Sequence, residues 1–392
     1  MKINCTSRLF LFNPFYITLI LFNFFLTCLS YAQDNSLVQK KTALVATAQS
    51  SALAPQLQDS AKKSIDKGIS FLRKQQAEDG SYGHHVGLTA MAILAMAESP
   101  RKYTLGDGPF IRRAAEFIIS QARANGSITG EETPTYNTAL AIMALHVLDA
   151  KKYKKEIEAG QKFLVKFQSD EDQKYTKKDK YYGGIGYGGD ERPDLSNLQY
   201  ALEALKKTDY DKESDVWAKA ELFVKRCQNF TEEDDQDVLE RPWAGNDGGF
   251  IYEPGASRAG GTKSYGAMTF AGLKSLMFTN TKNKDDSRVK AALGWIQQNY
   301  DFNTHPGMGT TAYFYYLQTA ASALEAYGET FIPANNGTKH NWGADLVSKF
   351  IYLQQKDGSW VNEDRKYWEG NKILVTSRAI ITLNHVFRSA GL

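Results

Sequence analysis

The chain has 392 residues, 42% of them hydrophobic and 12% aromatic, which is the composition of a folded protein and not of a disordered one. Its formal charge of +3 is small for that length. No basic stripe interleaved with aromatics runs along it, so nothing supports a nucleic-acid partner.

The first element reads as a targeting segment. Lys2 and Arg8 give a positive start, and residues 10–32 then run without a charge, ending in the small residues Ser30 and Ala32. This pattern predicts a secretory signal cut after Ala32, and hence an exported protein, periplasmic or secreted. A retained anchor competes with that reading, because the apolar run nearly suffices to span a bilayer. Asn13, Pro14 and Asn23 weaken it as a span. Membrane association is expected only through this segment, if it stays uncleaved. Residues 33–59 hold no aromatic and read as a flexible tether, which places the folded domain at 60–392. Cys5 and Cys28 leave with the signal, so Cys227 has no intramolecular partner and reads as a small, half-buried helix residue.

From residue 60 onward one pattern recurs six times. The first unit opens with an amphipathic helix. Ile65, Ile69, Phe71 and Leu72 form its apolar stripe, and Lys62, Lys63, Asp66, Lys67, Arg73 and Lys74 cover the rest. Gln-Gln, Asp-Gly-Ser-Tyr and a second, nearly wholly apolar helix follow. The last unit repeats this order from Ala344 to Phe387. Weaker copies occupy residues 111–148, 157–205, 217–278 and 289–328. Six units of two helices predict twelve helices in an all-α fold, an α/α toroid of six helical hairpins. No sustained strand pattern interrupts it.

A helix that is apolar all round must be buried on most sides, so the second helices form an inner ring and the charged first helices an outer one. Small residues such as Ala139, Ala141 and Ala144 allow close approach inside the ring. All inner helices then run the same way. Their N-termini gather at one mouth, each with unpaired N–H groups and a partial positive charge. A ligand is expected there, and an anionic group is favoured.

The motif Phe-Leu/Ile-x-x-Gln-x-x-x-Gly-x-Trp/Tyr, carried by Phe71, Leu72, Gln75, Gly80 and Tyr82 and again by Phe350, Ile351, Gln354, Gly358 and Trp360, resembles the repeat of squalene cyclases and protein prenyltransferase β-subunits. The resemblance spans about residues 60–390 and implies the toroid. The catalytic motifs of either group are missing. The prenyltransferase zinc positions correspond to Thr262, Ser264 and roughly Tyr316, which form no zinc set, so no metal is expected. The protonating Asp-x-Asp-Asp motif of the cyclases and the Asp-Asp-x-x-Asp diphosphate motif are absent. Glu232-Glu233-Asp234-Asp235 is the nearest string and reads as a solvated acidic loop.

Candidate site residues follow from the mouth. His84 and His85 precede the first inner helix as a ligand or proton pair, although adjacent side chains splay by about 100°. Tyr136 opens the second inner helix. Tyr187, Asp190, Arg192 and Asp194 lie in a glycine-rich loop before the third. Gly184, Gly186 and Gly189 there fit the dinucleotide fingerprint in form alone, since no strand precedes them, and no cofactor is expected. An N-cap role for Asp194 or Ser196 is the plain alternative. Glu253, Arg258, Lys263 and Tyr265 belong to a similar loop before the fourth. Asp190 and Glu253 are the catalytic candidates, as an acid/base pair of open separation. Tyr313, Phe314, Tyr315 and Tyr316 crowd the fifth inner helix. They cannot all face one side; Tyr313 and Tyr316 are assigned to the cavity, where rings suit an isoprenoid, a passing cation or a sugar. The expected function is binding of an apolar, isoprenoid or polymeric ligand at the mouth. The alternatives are a terpenoid cyclase-like enzyme with non-standard acids and a carbohydrate-active hydrolase or lyase. No protein partner can be read from the chain.

Overall fold

The computed structural model describes residues 53–130, 132–188, 192–231, 237–279 and 283–392. The signal segment with its expected cut after Ala32, most of the tether, Asp190 and the acidic run Glu232–Asp235 lie outside these residues.

Twelve α-helices are present among the described residues. They pair as α1 (Pro55–Lys74) with α2 (Val86–Ala97), α3 (Pro109–Ser120) with α4 (Pro134–Asp149), and α5 (Lys154–Lys166) with α6 (Leu195–Lys207). Then come α7 (Val216–Arg226) with α8 (Gly266–Phe278), α9 (Ser287–Gln298) with α10 (Tyr313–Tyr327), and α11 (Trp342–Leu353) with α12 (Lys372–Ser389). The first helix starts inside the stretch read as tether. Pro55 sits at its first turn, where a missing N–H costs nothing, and Leu57 and Ala61 continue the buried stripe of Ile65 and Ile69 at four-residue spacing. A two-stranded hairpin, β1 (Phe331–Pro333) against antiparallel β2 (Lys339–Asn341), joins α10 to α11.

The even helices form the inner ring. Each packs on the next, α2 on α4, α6, α8, α10 and α12 in turn, and α12 returns to α2. Asn384 Nδ2 on α12 donates to the Ala95 carbonyl on α2 at 3.0 Å across that closure. All twelve residues of α2 are buried, whereas α1 buries one stripe. Cys227, the residue that ends α7, is fully rather than half buried.

A glutamine clasps neighbouring units together. Gln76 Nε2 donates to the Gly80 carbonyl of its own loop (2.9 Å) and to the Phe110 carbonyl at the start of the next outer helix (2.7 Å). Gln168, Gln228 and Gln354 do the same, and Gln354 reaches Ser64 on α1 to close the outer ring. The functional glutamine of the first unit is therefore Gln76 and not Gln75, since α1 carries one more residue before its loop. The loop glycine whose carbonyl takes each of these bonds is left-handed and has no room for a side chain. At Gly183 (φ +83°) a Cβ would lie 1.8 Å from the Lys219 carbonyl oxygen of the next outer helix.

Opposite the N-terminal mouth, an ion network lies across the ring. Lys207 on α6 pairs with Glu98 at the end of α2 (2.9 Å) and with Glu203 (3.6 Å), and Lys274 on α8 pairs with Glu203 (2.7 Å). Arg388 on α12 binds Glu98 (2.9 Å) and Glu325 on α10 (2.7 Å), and His385 also meets Glu325. The Lys207–Glu98 pair joins α6 to α2 past the intervening α4, so the network spans the lumen rather than one seam.

Candidate functional site: an aromatic cavity at the N-terminal mouth

A cavity of about 390 Å³ opens where the six inner helices begin. Every one of them supplies its wall: Leu88 and Met91 from α2, Tyr136 and Leu140 from α4, Ser196 and Tyr200 from α6, Ala267 and Met268 from α8, Tyr315 from α10, Leu374 and Arg378 from α12. The loops before these helices add Tyr187, Tyr252, Arg258, Tyr265, Met308, Tyr367 and Trp368. The inner helices thus do run the same way, with their N-termini at one mouth. The volume is that of a small-molecule site.

The tyrosines form a connected wall. Tyr136 packs edge-on against Tyr200 (ring centroids 5.1 Å apart) and tilts on Tyr187 (5.7 Å). Its hydroxyl donates to Ser196 Oγ at 2.6 Å, and Tyr315 joins the same serine and accepts from Gln199 Nε2 at 2.7 Å. The Tyr187 and Tyr252 hydroxyls lie 3.2 Å apart. Burial pushes the Tyr136 and Tyr265 phenols well above their ordinary range, so both stay neutral donors.

Two arginines enter this wall. Arg378 Nη1 donates to Gln318 (2.7 Å) and to the Tyr200 hydroxyl (3.2 Å), and its guanidinium lies over the Tyr315 ring at 5.1 Å. Arg258 lies over the Tyr252 ring at 4.3 Å. Neither arginine has a carboxylate within ion-pair distance among the described residues, and Arg378 Nε is buried without a hydrogen-bond partner.

Backbone strain concentrates at the same place. Thr133 and Ala312, the residues before α4 and α10, and Tyr367 and Trp368 in the last loop all take left-handed φ angles of 46–64° and all line the cavity. Such conformations cost about 1–3 kcal/mol each and persist where the surroundings hold them. Glu369 provides one hold. Its buried carboxylate accepts the Tyr315 N–H (2.7 Å) and the Phe314 N–H (3.2 Å), capping α10 from another unit, and Asn362 Nδ2 donates to it at 2.7 Å.

Of the expected residues, His85, Tyr136, Tyr187 and Tyr265 line the cavity. The two histidines part: His85 caps α2 by accepting the Leu88 N–H, whereas His84 turns outward to Asp79 (3.0 Å). They make no pair, because His84 takes a left-handed turn that reverses its side chain. Asp194 caps α6 through the Asn197 N–H (2.8 Å) and accepts the Tyr252 hydroxyl, so it stands behind the wall. Burial pushes its carboxyl up to about 6 against those hydrogen bonds. Glu253 accepts the Tyr181 hydroxyl (2.8 Å) with Arg192 beside it (3.8 Å), away from the cavity wall, and Asp190 lies outside the described residues. Lys263 is exposed and off the wall. Tyr313 and Tyr316 face the outer side: Tyr316 stacks on His305 (4.7 Å) and donates to the Asp301 carbonyl (2.7 Å), while Tyr313 bonds the Phe302 carbonyl. Tyr315 is the cavity residue of that helix. Among the described residues no cluster of metal-ligating side chains occurs. Ser264 is held by Asp247 (2.7 Å) and Asn229 (2.9 Å). Tyr200, Tyr252, His305, Tyr367, Trp368 and Arg378 complete the site without a sequence motif to mark them. His305 joins two segments, since its Nε2 accepts the Ala267 N–H at 2.9 Å. Burial holds it down at about 4.

No family model matches the chain, and no curated protein matches it. Solved structures do. The type II terpene cyclase MstE from Scytonema, in a variant complexed with geranylgeranyl dihydroxybenzoate as substrate, superposes with a TM-score of 0.53 at 13% identity, covering 86% of this chain and 99% of that one. A second variant holding merosterolic acid A as product gives 0.51 at 13%, and the unliganded enzyme 0.52 at 14%, both with the same coverage. At this identity the likeness establishes the fold: this chain is an α/α toroid of the terpene cyclase type.

Proposed function

We propose that this protein binds an apolar, chain-like molecule in the aromatic cavity, admitted through the N-terminal mouth of the inner ring. The observation that carries this reading is the wall itself, in which tyrosine rings and the side chains of Met91, Leu140, Met268 and Leu374 surround about 390 Å³. The ion network across the opposite end leaves one natural entrance. The neighbours' complexes with geranylgeranyl dihydroxybenzoate and merosterolic acid A support an isoprenoid or similar ligand here.

Binding is favoured over cyclisation by electrostatics. A carbocation in the cavity would face the guanidinium groups of Arg258 and Arg378, and like charges in a low-dielectric site repel strongly. The carboxyl of Asp194, behind the wall, is turned to Tyr252 and Asn197, and Glu132 lies on the exposed rim. Export is part of the proposal and rests on the N-terminal signal pattern.

Calorimetric titration of the folded domain with a C20 isoprenoid alcohol tests the binding reading. Saturable binding is expected, weakened about tenfold or more in Tyr136→Ala, because removing a buried ring forfeits about 1.5–3 kcal/mol of burial. Absence of heat with the alcohol, or equal affinity in the variant, would overturn it. N-terminal sequencing of the protein expressed with its first 32 residues tests export; a mature chain starting at Gln33 is the expected result.

A further inference from the structure

Resting on that reading, we infer that the ligand carries an anionic head, a carboxylate or a phosphate monoester, which Arg378 receives within the cavity and Arg258 covers from the rim. The inference starts from an imbalance of charge. Three buried or half-buried cations elsewhere are matched directly: Lys274 has Glu203 at 2.7 Å, Arg226 has Asp237 at 2.7 Å, and Arg388 has Glu325 at 2.7 Å. Arg378 departs from this habit. It stands in the second turn of α12 and has neutral partners, Gln318 and Tyr200, on Nη1. Its Nε is buried without a partner, and Nη2 donates to no group among the described residues. Glu369 acts on it only from beyond ion-pair distance, and that carboxylate is already engaged by the Tyr315 and Phe314 N–H groups and by Asn362. A half-buried cation with no direct ion pair is costly, and a bound anion relieves that cost.

Three further features suit the same head. Arg258, also without a carboxylate in reach, stacks on Tyr252 at the entrance. The Tyr136 and Tyr315 hydroxyls converge on Ser196 Oγ at the start of α6, so neutral donors stand beside the guanidinium. All six inner helices direct their N-termini at this volume, and their partial charges add to its positive field. Glu132 is the carboxylate among the described wall residues, and it belongs to the loop before α4, on the rim rather than the floor. An apolar tail against the rings with an anionic head on the arginines uses every part of the wall.

The test compares three probes of one C20 isoprenoid tail, the carboxylic acid, the monophosphate and the alcohol, by calorimetry on the wild-type domain, Arg378→Gln and Arg258→Gln. Charge-assisted hydrogen bonds predict that acid or phosphate binds at least about tenfold more tightly than the alcohol. Arg378→Gln is expected to abolish the advantage of the charged probes over the alcohol when all three are measured on the same variant. Arg258 is exposed, so Arg258→Gln reads out the head group even if Arg378→Gln fails to fold, and it is expected to weaken the charged probes and their salt dependence. A stronger response to the phosphate assigns a phosphorylated lipid, and one to the acid a lipid carboxylate. If all three probes bind alike and neither variant separates them, the head-group inference is wrong while the apolar cavity stands. If none of them binds the folded wild-type domain, the underlying binding reading falls with it.

Discussion

At the scale of single residues, this toroid places polar groups where one bond serves two units. Gln76 satisfies the carbonyls of Gly80 and Phe110 together. Gln76→Ala leaves both unpaired in a part-buried seam, and a loss of about 1–3 kcal/mol in denaturant unfolding is expected. Gln75→Ala, the neighbour with the motif's nominal spacing, serves as control with little change. Asp194 makes a different prediction. Burial raises its folded carboxyl to about 6 from the ordinary 3.8. The folded state therefore holds a proton that the unfolded chain has lost between about pH 4 and 6, so this group's contribution to stability falls as pH rises through that window. Asparagine keeps a capping oxygen without the charge. Asp194→Asn is expected to remove that slope, so the variant gains on the wild type by roughly 2–3 kcal/mol from pH 4 to pH 7. Equal slopes in thermal melts of the two proteins would refute this.

At the scale of elements, the repeat depends on the close approach of each loop to the next outer helix. Gly183 meets the Lys219 carbonyl with no space for a methyl group, whereas Gly260, also left-handed at φ +91°, has nothing within 4 Å of an added Cβ. Gly260→Ala is expected to cost about 1 kcal/mol from backbone conformation alone. Gly183→Ala adds a backbone clash and is expected to cost several times as much, measured by urea midpoints. The repeat was legible at this scale because its signal is periodic: an apolar stripe on the outer helices, alanine-rich inner helices, and glycine at each turn. The register within it was less so. Tyr313, Tyr315 and Tyr316 are equivalent by composition, and a helix turns about 100° per residue, so only the seat of α10 between α8 and α12 selects Tyr315 for the cavity. Likewise, Tyr367 and Trp368 reach the mouth from a loop whose shape depends on Glu369 capping a helix of another unit.

At the scale of the whole molecule, the two mouths differ in charge. The N-terminal mouth gathers helix ends around apolar rings, with arginines that have no direct ion pair among the described residues, and the other end is crossed by balanced ion pairs. Burial raises the Glu325 carboxyl, but His385 and Arg388 outweigh it and hold the group at about 2. Glu98 is drawn down by Lys207 and Arg388 in the same way. Both groups contribute stability that is complete above the ordinary carboxylate range and is lost as pH falls through it. The melting temperature is expected to drop steeply between about pH 4.5 and 2. Glu325→Gln is expected to cost about 3 kcal/mol at neutral pH, since Arg388 and His385 lose their partner, and to flatten that acid limb. An unchanged acid limb would show that the network does not set it.

The sequence by itself determined the ring: twelve helices, their division into inner and outer, and the common direction that brings six N-termini to one mouth. These are local matters of hydrophobic period and turn chemistry, repeated often enough to be read without any long-range contact. Tertiary structure alone decided the site. Arg378, Tyr200, Tyr252 and Tyr315 belong to four different units, and none stands in a motif. Ring closure between α12 and α2 makes them one wall, because side chains far apart in the chain become neighbours only when every helix has taken its place around the lumen.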